Sequence, residues 1–314
     1  MAKVLIIGAC GQIGVDLTLA LRKKYGNQNV IAADIRPEDA LIKNTGPFVN
    51  LDALDAEAIR SLVEKEKITD IYLLAALLSA TGEKNPKLCW DLNMGALRNI
   101  LDLGVERKMK IFWPSSIAIF GTTTPNKNTP QKTIMEPTTM YGITKYAGEL
   151  LCQYYNKSFG LDVRSIRYPG LISWKSEPGG GTTDYAVEIF YEAIKNGKYA
   201  SFLSENTYLP MMYMDDAIRA AMEIMTAPKE NIKSRMSYNL SAISFSPKEI
   251  AEEIKKHMPS FQINYKPDHR QAIAESWPQS IDDGAARVDW GWKHEYDLEK
   301  MVVDMLKNLK EKLK

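Results

Sequence analysis

"KVLIIGACGQIG", residues 3–14, decides the fold. The apolar run KVLIIG (3–8) reads as a buried strand that stops at Gly8. The next stretch changes period: in "QIGVDLTLALRKKYG" the residues Ile13, Leu17 and Leu21 make one apolar helix face. Gly8, Gly11 and Gly14 stand between the two elements. A strand that turns at once into a helix needs a residue free of Cβ clashes, and close backbone approach needs the same. The helix start, at Gln12 and Ile13, offers free N–H groups and positive partial charge to an anion. Strand, glycine turn and helix start together point to a pyrophosphate, and so to a dinucleotide.

Outward from this stretch the alternation continues. NVIAAD (29–34) is a second strand, LDAEAIRSLVEKEK a second helix and DIYLLAA (70–76) a third strand. A helix follows from about Lys87 to Arg107, then the strand KIFWPSS (110–116), a long loop, the helix MYGITKYAGELL (140–151) and DVRSIRYPG (162–170). Fully apolar strands alternating with helices predict an α/β fold, a doubly wound parallel sheet of Rossmann type. Residues 1–173 are expected to form the dinucleotide-binding domain, with 213–235 returning to it. Residues 174–212 and 236–314 are expected to form a smaller C-terminal α/β region that binds substrate at the carboxyl ends of the strands.

Bulk composition narrows the partners. Lys and Arg number 40 against 39 Asp and Glu, so no excess charge calls for nucleic acid or an anionic membrane. The three cysteines and three histidines show no metal-ligand spacing, so no metal site is expected. The apolar run VLII is too short for a signal-peptide core, and IYLLAALLSA (71–80) is half a membrane span. A cytoplasmic protein is the expectation.

Twenty residues beyond Gly14, at the end of the second strand, stands Asp34. A carboxylate there accepts hydrogen bonds from ribose hydroxyls and repels a 2′-phosphate, which favours NAD. Arg36 is the opposing signal, because a guanidinium nearby can hold that phosphate. Asp52 is placed either to approach the adenine or to cap the following helix.

Five motifs in order now form a pattern: G-x-x-G-x-x-G at 8–14, LAA at 74–76, PSSIAIFG at 114–121, Tyr141-x-x-x-Lys145, and RYPG at 167–170. Together they resemble the extended short-chain dehydrogenase/reductases. The resemblance implies that Leu74, Ala75, Ala76 and Tyr168 join Gly8–Gly14 in holding NAD, and that Asn93 supports a proton relay and the cofactor. Ser116 would hold the reacting oxygen, with Ser115 as the alternate. Tyr141 and Lys145 lie four residues apart, on one helix face. A tyrosine needs its pKa lowered by about 3 units to act as a base near pH 7, roughly 4 kcal/mol. An ammonium about 4 Å away supplies about that much at an effective dielectric near 20. Tyr141 is thus the candidate proton acceptor, and Lys145 is expected to lower its pKa and to reach the nicotinamide ribose.

Four longer stretches, LLSATGEKNP, MEPTTMYGITKYAGELL, RYPGLISWKSEPGGGTTDYAVEIFYEAI and ESWPQSIDDGAARVDWGW, narrow the likeness. They resemble the short-chain type of NAD-dependent L-threonine 3-dehydrogenases. That implies oxidation of L-threonine to 2-amino-3-ketobutyrate without zinc, in threonine catabolism, with a 2-amino-3-ketobutyrate ligase as functional partner. Thr182 or Thr183, capping a helix after the triple glycine, and Ser79 are the candidate substrate contacts. The glycine loop and GTTTPNKNTPQKT are expected to close over the substrate. Two other readings stay open: a nucleotide-sugar epimerase or dehydratase, and a non-catalytic NAD(H)-sensing protein. A homodimer through the helices 87–107 and 140–159 is the superfamily expectation. Asp215 and Asp216 read as helix caps, Trp277, Trp290 and Trp292 as packing anchors, and the methionines of MMYM (211–214) as core.

Overall fold

The computed structural model describes residues 2–314, apart from the side chain of Ala80. The chain divides into two compact units, one of residues 1–119, 137–167 and 218–238, the other of 120–136, 168–217 and 239–314.

In the first unit the strands β1 (Val4–Ile7), β2 (Val30–Asp34) and β3 (Phe48–Asn50) alternate with the helices α1 (Gln12–Tyr25) and α2 (Ala56–Glu66). Then come β4 (Asp70–Leu73), α3 (Ser79–Lys84), α4 (Pro86–Arg107), β5 (Lys110–Phe112), β6 (Ser115–Ser116), α5 (Met140–Phe159) and β7 (Asp162–Arg164). Six of these strands form one sheet in the order β3-β2-β1-β4-β5-β7, and every pairing in it is parallel. The order reverses direction between β1 and β4, the switch point where open α/β sheets bind ligands. Strands β1 and β2 are buried along their whole length, as expected for a sheet covered on both faces. Leu5, Ile7, Ile31, Ile71, Leu97, Ile100, Leu101 and Val163 belong to the core on one side of it. Asp55, not Asp52, is the N-cap of α2, accepting from the Ala58 N–H.

The second unit has its own core around the helices Tyr185–Asn196, Pro247–His257 and Leu298–Lys312. Strands Ile243–Phe245, Leu209–Tyr213 and Gly170–Ile172 form one sheet, and Lys198–Ser201 pairs with Gln262–Tyr265 in another. Met211, Met212, Met214 and Trp292 are buried, in keeping with their reading as core.

Two expected strands are broken. KIFWPSS splits into β5 and β6 around Trp113-Pro114, because Pro114 has no N–H for a ladder. DVRSIRYPG splits into β7, Ile166–Tyr168 and Gly170–Ile172, which join three different sheets. The chain therefore leaves the large sheet after Arg164, the boundary between units falls at 167/168, and residues 120–136 group with the second unit.

Candidate active site

A cleft of about 470 Å³ opens at the switch point, lined by Gly8, Gly11, Gln12, Ile13, Gly14, Asp34, Arg36, Asp52, Leu74, Ala75 and Ala76. Gly8 has φ +92°, and a Cβ there would lie 2.5 Å from the Ala75 nitrogen. A Cβ on Gly14 would lie 2.3 Å from the Gly8 carbonyl oxygen. Both obstacles are backbone, so neither can swing aside. The N-cap of α1 is Gly11, with no side-chain cap and no acidic residue in the first turn, so that end of the helix keeps its positive partial charge for an anion.

Asp34 is 5% exposed. Its carboxylate accepts from the Cys10 N–H (2.9 Å), the Arg36 N–H (2.9 Å) and the Arg36 guanidinium (3.2 and 3.3 Å). Burial pushes the Asp34 carboxyl up, but the hydrogen bonds from Arg36 and Cys10 and the Arg36 charge together hold it below its usual value. Arg36 thus grips Asp34 while its side chain stays 57% exposed beside the cleft. Asp52 lines the same cleft and accepts from the Leu54 N–H.

The second cluster is built on α5. Thr139 caps this helix by accepting from the Gly142 N–H (3.0 Å), and Glu83 of α3 accepts from the Met140 N–H (2.6 Å). A Cβ on Gly142 would lie 2.2 Å from the Ala118 carbonyl oxygen, so α5 packs directly on the turn that follows β6. That contact brings Ser116 within hydrogen-bond reach of the Tyr141 hydroxyl. Ser116 Oγ also accepts from the Ala118 N–H. Ser115 is 2% exposed, and its Oγ has no hydrogen-bond partner among the described residues.

Lys145 Nζ donates to the Pro114 carbonyl (2.7 Å), stands 4.5 Å from the Trp113 ring centre and 5.6 Å from that of Tyr141. Here the expectation from spacing needs correction. Burial pushes Tyr141 up to about 12, against a partial offset from the Ser116 hydrogen bond. Burial likewise pushes Lys145 down, to about 8. In the chain alone, desolvation is the largest influence on both groups.

Asn93 is buried on α4. Its side chain accepts from the Leu77 N–H (2.8 Å) and donates to the Leu77 carbonyl (3.1 Å), to Thr144 Oγ1 (3.1 Å) and to Cys89 Sγ (3.5 Å). Asn93 therefore ties the loop after β4 to α5. Ser79 begins α3, half-buried.

In the second unit, Thr182 is buried and Thr183 half-buried in the short turn Thr182–Asp184. The loop before them is held by Asp184, not by a threonine: its carboxylate accepts from the N–H groups of Gly179 (2.7 Å) and Gly181 (2.8 Å). Tyr168 is buried and donates its hydroxyl to the Ala217 carbonyl (2.7 Å). Asp216, in the first turn of the helix Met214–Thr226, accepts from the N–H groups of Glu295 and Tyr296. The reading of the sequence did not single out Gly142, Thr144 or Trp113. A glycine directly after the tyrosine was the one local signal available.

The model of the NAD dependent epimerase/dehydratase family matches residues 4–241. An uncharacterized epimerase/dehydratase of Staphylococcus haemolyticus is 53% identical over 314 residues, covering 99% of both chains. A GalE-like L-threonine dehydrogenase from Cupriavidus necator, solved in its holo form, is 55% identical, with a TM-score of 0.95 and coverage of 98% of this chain and 99% of that one. The L-threonine dehydrogenase of Clostridium difficile is 48% identical, with a TM-score of 0.97 and coverage of 99% and 98%. The chain belongs to the NAD-dependent epimerase/dehydratase family, within the extended short-chain dehydrogenase/reductases, and NAD is its cofactor.

Proposed function

We propose that this member of the family oxidises the 3-hydroxyl of L-threonine to 2-amino-3-ketobutyrate. The observation that carries the reading is the Ser116, Tyr141 and Lys145 cluster on a chain that matches L-threonine dehydrogenases along nearly its whole length. Residues Gly8–Gly14, Asp34, Asp52 and Leu74–Ala76 hold the dinucleotide in this reading, in the first unit. Bound NAD supplies the hydride acceptor and a positive charge. Ser116 holds the substrate hydroxyl, and Tyr141 takes its proton. A phenol at about 12 is too weak a base on its own, so Tyr141 requires cations beside it. Lys145, at about 8, is poised to be one of them near neutral pH. Thr182 and Thr183, in a substrate-binding region of the second unit, and Ser79, of the first unit, are the proposed contacts to the carboxylate or amino group.

The reaction is proposed to proceed without zinc, in the cytoplasm, with a ligase consuming the keto acid. Among the described residues no group of three or more His, Cys, Asp or Glu side chains converges to hold a metal, and no helix is long and apolar enough to cross a membrane. A homodimer is proposed through α4 and α5, which leave Leu88, Trp90, Ile143, Leu150, Tyr154 and Phe159 exposed. The test is NADH formation from L-threonine, L-serine, 3-hydroxybutyrate and UDP-galactose, with Tyr141→Phe as the blank. Threonine as the best substrate supports the reading. Turnover of UDP-galactose without net NADH, or no turnover at all, would replace it with the epimerase or the sensor.

A further inference from the structure

Tyr141, Lys145 and Glu149 recur every four residues and so lie along one face of α5. Glu149 is 0% exposed, and so nearly is its partner Arg167, at 1%. The two form a forked pair: Arg167 Nε donates to Oε1 of Glu149 at 2.9 Å and Nη2 donates to Oε2 at 2.7 Å. A buried ion pair is a poor device for stability, since well-packed apolar residues of the same volume commonly serve as well or better. Its presence one turn beyond Lys145 calls for another reason.

We propose that Glu149 and Arg167 are positioning residues for Lys145: Arg167 holds and aims the Glu149 carboxylate, and that carboxylate keeps the lysine an ammonium at its post between Trp113 and Pro114. The proposal rests on the Tyr141–Lys145 relay put forward above and deepens it. Desolvation works against the charged lysine, because Lys145 is 4% exposed. The groups that favour its charge are Cys152, Cys89 and Glu149. Burial pushes both thiols up, so they stay neutral near pH 7 and leave Glu149 as the working anion. The Pro114 carbonyl and the Trp113 ring face add partial negative charge from the other side. The fork from Arg167 fixes the direction of the carboxylate.

The test is a direct titration of Lys145 in the full chain, by its ¹³Cε and ¹⁵Nζ resonances, assigned by their loss in Lys145→Met. In Glu149→Gln the anion is gone and the Arg167 charge is stranded, so the midpoint falls by about one unit or more. In Glu149→Gln/Arg167→Met the stranded cation is also gone, and the midpoint recovers part of the way. A purely structural role for the pair would make the double variant no better than the single one. The alkaline limb of the kcat profile moves with the midpoint. A folded Glu149→Gln whose Lys145 midpoint matches wild type overturns the proposal. Where Glu149→Gln does not fold, Glu149→Met/Arg167→Met, an apolar pair of similar size, gives the same reading: an unchanged midpoint refutes the proposal and a lowered one supports it. The resonances report whether or not threonine is the substrate, so this proposal and the proposed function can fail separately.

Discussion

Replacing Asp34 should turn the cofactor preference. The carboxylate offers two oxygens and already accepts from Cys10 and Arg36 in the chain alone, which orients it at the end of β2 on the wall of the cleft. A hydrogen bond to a charged acceptor contributes about 1.5–3 kcal/mol. Losing one such bond to the ribose in Asp34→Ala therefore weakens NAD by about 10- to 150-fold. The same change acts oppositely on NADP. It removes the anion that repels a 2′-phosphate, and it releases the Arg36 guanidinium, now gripped at 3.2 and 3.3 Å, to pair with that phosphate. The ratio of the two affinities should move toward NADP by about 100-fold or more. Isothermal titration of both dinucleotides into wild type, Asp34→Ala and Asp34→Ala/Arg36→Ala separates the two contributions, since the second substitution should cancel the part of the NADP gain that Arg36 supplies and leave the loss for NAD. A ratio within about threefold of wild type in Asp34→Ala, under about 0.7 kcal/mol, would mean that Asp34 does not face the ribose.

Four other outcomes are expected. Gly14→Ala drives a methyl into the Gly8 carbonyl at 2.3 Å, so it should cost about 1–3 kcal/mol in denaturant unfolding and abolish NAD binding by titration. Tyr141→Phe should lower kcat for threonine by about 10²- to 10⁴-fold while fluorescence titration finds NAD binding intact; equal kcat in both proteins would remove Tyr141 from the chemistry. Because burial places its phenol at about 12, ultraviolet difference titration of wild type against Tyr141→Phe should show no step near neutrality without NAD, and NAD should bring the step down by about 1–3 units. The lowered Asp34 carboxyl contributes stability that is present above its unfolded value near ~4 and is lost as pH falls through the folded value, so the melting-temperature gap between wild type and Asp34→Asn should be steady near neutrality and close in acid.

Much of this protein was legible in its residues because the relevant physics is local. A strand, a glycine turn and a helix start within residues 3–14 specify a phosphate cradle, since steric freedom and helix-end charge act over a few residues. The four-residue step from Tyr141 to Lys145 likewise puts both on one helix face whatever surrounds them. What surrounds them was decided only by tertiary packing. Lys145 is turned by Trp113 and Pro114, from a broken strand remote in the chain, and burial then outweighs the charge effect that spacing alone suggested. Asn93 meets Thr144 across 51 positions, Asp216 meets Tyr296 across 80, and Arg167 closes on Glu149 where nothing in either neighbourhood marks the pair. Desolvation and long-range hydrogen bonding depend on which distant segments converge, and periodicity along one segment carries no record of that convergence.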